Sequence, residues 1–133
     1  MKYLSQYIEE PQSKLLKEMG AFFAFNIKQF NEGQKEGVTY VRMINGLFCP
    51  KENADQLFEG LEKIHKAGIA QDMEENGKKA IIHRELANHE FCITLDITDT
   101  VNALQGYDIT VEEIRAETGE YLKKWREWED SQQ

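Results

Sequence analysis

Helix-rich α+β is the fold class that this sequence predicts, and three observations predict it. Apolar residues recur at helical spacing over much of the chain, as in Leu57, Leu61 and Ile64. Residues 38–43 are β-branched and aromatic and run into Asn45-Gly46, a hairpin signal because both positions tolerate positive φ. The 133-residue length, with 41% hydrophobic and 11% aromatic content, fits one globular domain. The expectation is a single compact domain over residues 1–133, with five or six helices and a small antiparallel sheet.

Leu4, Ile8, Leu15, Leu16 and Met19 mark an N-terminal helical region. Pro11 lacks an N–H and crowds the preceding turn, so it is expected to divide this region and open its second piece. Gly20 supplies a C-terminal stop. Residues 21–25 are a short aromatic run whose pattern fits a strand or a buried connector. Phe22, Phe23 and Phe25 are accordingly core residues or an exposed aromatic patch. Asn26 has N-cap chemistry with Gln29 as its capping-box partner, and a short helix follows from 27 to about 35, stopped near Gly37.

Residues 47–49 form the return strand of the hairpin, ended by Pro50. Asn53 is placed as the N-cap of a helix carrying the Leu57, Leu61 and Ile64 stripe on past Gly68 to Asn76-Gly77. A further helix covers 78 to about 88, with Ile81, Ile82 and Leu86 inward. Residues 91–95 fit a short strand. Asp96 or Thr98 caps a short helix carrying Val101 and Leu104, and Gly106 stops it. Thr110-Val111-Glu112-Glu113 is a capping box that opens an amphipathic C-terminal helix over about 111–129. Ile114, Thr118, Tyr121, Leu122, Trp125 and Trp128 fall on one side of it.

Charge is placed unevenly. Residues 1–84 hold 12 acids and 12 bases, and residues 121–133 hold three of each. The whole excess of −8 therefore falls in residues 85–120, where nine acids meet one base, Arg115. Such a field repels phosphate and attracts basic surfaces, so this face is not expected to bind nucleic acid directly. The N-terminal residues lack the apolar run of a signal peptide, and no stretch approaches the roughly 20 apolar residues that span a bilayer. A soluble, cytoplasmic protein, with no membrane partner, is expected. Cys49 and Cys92 lie in no metal-ligand spacing and read as small buried hydrophobes.

Catalytic constellations are absent from the sequence. His83 and His89 are six residues apart and do not share a helix face, and with Cys92 they match no zinc pattern. Asp96 and Asp99 read as helix-start acids rather than metal ligands. Asn76-Gly77-Lys78-Lys79 lacks the frame of a phosphate loop. The expectation is no enzyme, no cofactor and no metal site.

Two features suit binding. The first is the acidic stretch, with Glu85, Glu90, Asp96, Asp99, Asp108, Glu112, Glu113 and Glu117 as candidate contacts to a basic protein. The second is Tyr121, Trp125 and Trp128, at i, i+4 and i+7, beside Lys123, Lys124 and Arg126. Tyrosine and tryptophan are over-represented at interface hot spots. These three are candidates for partner binding or self-association, including a homodimer, or they pack on their own domain.

Gly20-Ala21-Phe22-Phe23-Ala24-Phe25 followed by Gln29-Phe30 resembles a motif of small phage and prophage proteins, often of Bacteroidetes-type hosts. Gly46-Leu47, Cys49-Pro50-Lys51, Glu75-Asn76-Gly77 and Arg84-Glu85-Leu86 with Asn88-His89-Glu90 continue it, so that it covers about residues 15–115. The resemblance implies a genomic setting and carries over no functional residues. In that setting a small acidic protein without catalytic motifs suits an inhibitor of a host nucleic-acid-handling defence complex, of the anti-CRISPR kind. Its partner would be a basic host protein such as an RNA-guided nuclease. The alternative is a self-associating structural or regulatory phage protein. A third reading, a small metal-dependent enzyme, would rest on Asp96, Asp99, His83 and His89.

Overall fold

The computed structural model describes residues 1–132. In chain order they form α1 (Leu4–Glu18), β1 (Phe22–Phe23), α2 (Ile27–Gly33), β2 (Tyr40–Arg42), β3 (Leu47–Pro50), α3 (Ala54–Asn88), α4 (Phe91–Thr94), α5 (Thr98–Ala103) and α6 (Val111–Ser131). The fold is helix-rich α+β, with six helices and one three-stranded antiparallel sheet among the described residues. The chain divides into two compact units, Lys2–Gly68 and the residues from Ile69 onward together with Met1.

In the first unit, α1 runs unbroken through Pro11, where the sequence led us to expect a division. Tertiary contact overrides the local penalty of about 3 kcal/mol. On either side of Pro11, Ile8 and Leu15 each sit against a glycine of α3. A Cβ on Gly68 would lie 2.5 Å from Ile8 Cγ2, and one on Gly60 would lie 2.6 Å from Leu15 Cδ2. At Gly68 the clash is with a β-branched side chain and requires glycine, whereas at Gly60 it is with the flexible tip of Leu15. The end of α1 is a Schellman stop: Gly20 has φ of 72°, its N–H donates to the Lys17 carbonyl at 3.2 Å, and that of Ala21 donates to Leu16 at 2.9 Å.

The sheet has the order β1-β3-β2. The aromatic run 21–25 thus contributes a strand. Its register pairs Phe22 with Phe48 and Arg42 with Phe48, which places these three side chains on one side. There Phe30 of α2 packs on Phe48 with ring centroids 4.8 Å apart, and also contacts Phe22 and Tyr40. The opposite side holds Leu47 and Cys49, which join Leu57, Leu15, Leu16, Met19 and Leu61 in the core. Leu57 is fully buried, a contribution of about 2 kcal/mol for a side chain of its size. The central strand is therefore covered on both sides.

Several local details differ from expectation. The turn spans Ile44–Gly46 rather than two residues, with positive φ at Asn45 (59°) and Gly46 (76°). Asn26 does cap α2, accepting from the Gln29 N–H at 2.8 Å, but Gln29 accepts in return from the N–H of Phe25, not that of Asn26. The helix stops at Gly33, short of the expected residue 35, where a Cβ would strike the Phe22 ring. Asn53 precedes α3, yet its side-chain amide donates to the Met19 carbonyl at 2.9 Å and so ties the end of α1 to the start of α3.

In the second unit, α3 is broken at Gly77, whose φ of 78° and ψ of 161° lie in a region open essentially to glycine alone. The two helical segments, 54–76 and 78–88, are those the sequence indicates. Ile81, Ile82 and Leu86 are buried with Phe91, Leu104 and Ile114. Residues 91–95, expected as a strand, form a single helical turn bounded by positive φ at Glu90 (55°) and Leu95 (56°). Those torsions are incompatible with extended pairing. The N-cap of α5 is Ile97, which has no side-chain acceptor, and not Asp96 or Thr98; Asp96, one residue earlier, accepts from the Thr98 N–H at 2.8 Å. Thr110 and Glu113 form the reciprocal capping box of α6, at 3.1 and 3.0 Å.

Glycine substitutions separate these constraints. Gly77→Ala is expected to lower unfolding free energy by about 1–3 kcal/mol through backbone strain alone. Gly68→Ala is expected to destabilise because the β-branched Ile8 cannot turn away. Gly60→Ala is expected near neutral, since the flexible Leu15 tip can move and alanine gains about 1 kcal/mol of helix propensity. Urea unfolding of the three variants checks the order.

Candidate functional site

Three groups of side chains have the chemistry of a site. The first is buried in the second unit. Asp72 and Arg84 are 12 residues apart, which would be about 18 Å along an unbroken helix. The break at Gly77 brings them into a bidentate pair, both N–O distances 2.9 Å. The Tyr107 hydroxyl donates to Asp72 at 2.5 Å, Asn76 donates to it at 2.8 Å, and Arg84 Nε donates to Glu85 at 2.9 Å. Burial pushes the Asp72 carboxyl up, but hydrogen bonds from Arg84, Tyr107 and Asn76 outweigh it and hold the group below the usual range. Burial and the Asp72 carboxylate together push the Tyr107 phenol up. These groups satisfy one another with Asp72 wholly inaccessible, so the network locks the unit and offers no surface to a substrate.

The second group joins residues 78–88 to α6. Lys78 meets Glu113 at 3.2 Å, Lys79 meets Glu120 at 2.8 Å, and His83 Nε2 meets Glu117 at 2.9 Å. Ligand atoms of His83, Glu117 and Glu120 lie within 4.8 Å of one another. Lys79 and, at 3.6 Å, Lys124 already supply positive charge to Glu120. His83, His89 and Cys92 do not share a centre: His83 faces Glu117, His89 lies 3.4 Å from Glu85 without hydrogen-bond geometry, and Cys92 lies beside Tyr121.

This ladder changes the reading of the acidic stretch. Glu85, expected on an acidic surface, is buried against Arg84, because its side chain completes the network. Glu113 is held below the usual carboxylate range, first by the Thr110 N–H and then by Lys78. Glu117 is engaged by His83. Glu90, Asp96, Asp99, Asp108 and Glu112 are exposed and make no ion pair among the described residues. The aromatic residues of α6 also separate. Tyr121 is half-buried, its ring edge-to-face with His83 at 5.9 Å and near Phe91, and Trp125 is half-buried. Only Trp128, 60% exposed, faces outward.

The third group is an apolar strip in the first unit. Phe25, Ile27 and Ile44 are 75%, 80% and 80% exposed, and Phe23 and Phe58 are about half exposed. Buried Ala24 lies between Phe23 and Phe25, whose rings stack at 6.4 Å. Two grooves flank the turn at Ile44–Gly46. One, of about 620 Å³, is lined by Phe23, Met43, Ile44, Phe58, Leu61 and Ile64, with Glu62 among its polar residues. The other, of about 560 Å³, is lined by Phe25, Ile27, Phe30 and Phe48, with Arg42 as its one charged residue. Asn45 lines both, so the strip is continuous around the hairpin end. Ile27, Ile44 and Phe58 escaped the sequence reading. Their signal is that each falls outside an apolar period: Phe58 is one residue off the Leu57 stripe, and Ile44 sits at a turn.

The fold and this surface define a small helix-rich α+β protein with an aromatic face beside a hairpin turn. The chain belongs to a family of unknown function, DUF7659, matched over residues 4–130. No curated protein and no solved structure matches it. Among the described residues, no helix is long and apolar enough to cross a membrane.

Arg84→Ala is expected to lower unfolding free energy by about 3–5 kcal/mol, because it leaves the Asp72 carboxylate buried and unpaired. The depressed carboxyl of Asp72 contributes stability that is present above the ordinary aspartate pKa of about 4 and lost as pH falls through its lower folded value. Urea unfolding between pH 7 and pH 2.5 checks both. Acid sensitivity in this range should be smaller in Asp72→Asn.

Proposed function

We propose that this protein acts by binding another protein, without catalysis, and that its working surface is the apolar strip of the first unit. The observation that supports this reading is the exposure of Phe25, Ile27 and Ile44 beside two apolar grooves. A contiguous exposed apolar surface rimmed by polar residues marks interaction sites in soluble proteins. The polar network and the ion-pair ladder have their partners within the chain.

A second reading keeps the phage-type inhibitor of a host nucleic-acid-handling complex, anti-CRISPR-like, working in the bacterial cytoplasm through an acidic surface. What favours it is the set of exposed carboxylates outside any ion pair: Glu90, Asp96, Asp99, Asp108 and Glu112. In that reading the carboxylates face a basic groove of the target, such as the groove of an RNA-guided nuclease, and exclude its nucleic acid.

The two surfaces are separable by charge and salt. Tagged protein is mixed with host lysate that also contains untagged copies of the chain, and whatever is retained is compared for two variants. Phe25→Ser with Ile44→Ser is expected to abolish retention, and added salt is expected to weaken the wild-type contact far less than it would a contact made through the carboxylates. Asp99→Lys with Asp108→Lys and Glu112→Lys is expected to leave it intact. Loss of retention with the acidic variant and at high salt would reverse the assignment.

A further inference from the structure

We propose that the occupant of the apolar strip is a second copy of this chain, in a two-fold symmetric dimer centred on the Ile44–Gly46 turn. This rests on the reading of the strip as the working surface. A two-fold interface uses the same patch on both partners, so the patch must complement itself in shape and charge. The strip meets the first requirement. Ile44 and Ile27, each 80% exposed, project beside concavities of about 620 and 560 Å³ that are lined by apolar side chains. Knobs and holes thus lie on one surface.

Charge meets the second requirement. The chain carries −8, which opposes self-association through most surfaces. Lys2–Gly68 holds nine acids and nine bases, so two copies meet there without net repulsion. Within the strip, exposed Glu62 and Lys66 border one groove and exposed Arg42 borders the other, and none of the three makes an ion pair among the described residues. A two-fold axis at the turn that sets each groove against the other groove of the partner brings Arg42 of one copy to Glu62 of the next. A basic partner, by contrast, gains nothing from a strip whose charged residues are one acid and two bases.

Sedimentation equilibrium of the purified chain, at concentrations from about one to a few hundred micromolar, tests this. The expected result is twice the chain mass of 15.5 kDa for the wild type. Ile44→Asp should weaken dimerisation at least 100-fold with an unchanged far-ultraviolet circular dichroism spectrum. Arg42→Glu should weaken it about tenfold, and adding Glu62→Arg should restore it. A wild-type monomer at every concentration would overturn the proposal, and so would a dimer indifferent to Ile44→Asp but broken by Trp128→Ala. If the wild type is monomeric while the strip variant still loses a heterologous protein, the strip remains the working surface and only the second copy is refuted. If the strip substitutions alter neither mass nor retention, both readings fall.

Discussion

A buried ion pair closed by one glycine organises the second unit. Asp72 and Arg84 meet because Gly77 takes backbone torsions that other residues avoid, and the pair is the centre to which the rest of the network is bonded. Tyr107 is drawn in by the Asp72 oxygen, which anchors the segment between α5 and α6. Glu85 is drawn in by Arg84 Nε, which removes a carboxylate from the surface. The alternative, an unpaired charge in an apolar interior, costs several kcal/mol, so the arrangement is held all together or lost all together.

The first unit obeys a different constraint. Its central strand β3 must be covered on both sides, and the chain has only short elements to do so. The α2 helix covers Phe48 and Phe22, and α1 with α3 covers Leu47 and Cys49. Close approach at Gly60 and Gly68 draws α1 down onto α3 and carries its helix past Pro11. What these helices leave uncovered is the hairpin end. There Phe23, Phe25, Ile27 and Ile44 face solvent, and the molecule has apolar surface to offer a partner.

Much of this was legible in the sequence. Helix starts and stops carried by short-range chemistry are where expected: Thr110 with Glu113, Asn26, Gly20 and Asn76-Gly77. The hairpin was visible in Asn45-Gly46. What escaped depends on contacts distant in sequence. Pro11 reads as a break until Ile8 and Leu15 are seen against glycines some 45 to 60 residues on. Residues 91–95 look extended by composition, but left-handed torsions at both ends close them into a turn. The acidic stretch reads as one face because a residue count ignores pairing. Lys78, Lys79, His83 and Arg84, all from the charge-balanced part of the chain, engage Glu113, Glu120, Glu117 and Glu85. The aromatic run left core and surface open, and both occur: Phe22 lies under α2 while Phe25 is exposed.

The central claim is that the protein works through the hairpin end of its first unit. Amide hydrogen exchange of the wild type, compared between dilute and concentrated solution and again with host lysate, tests it residue by residue. The account predicts that added protection concentrates in residues 22–27, 42–47 and 58–66. Protection confined to 90–112 or to the Trp128 end of α6, with the hairpin unchanged, would contradict it.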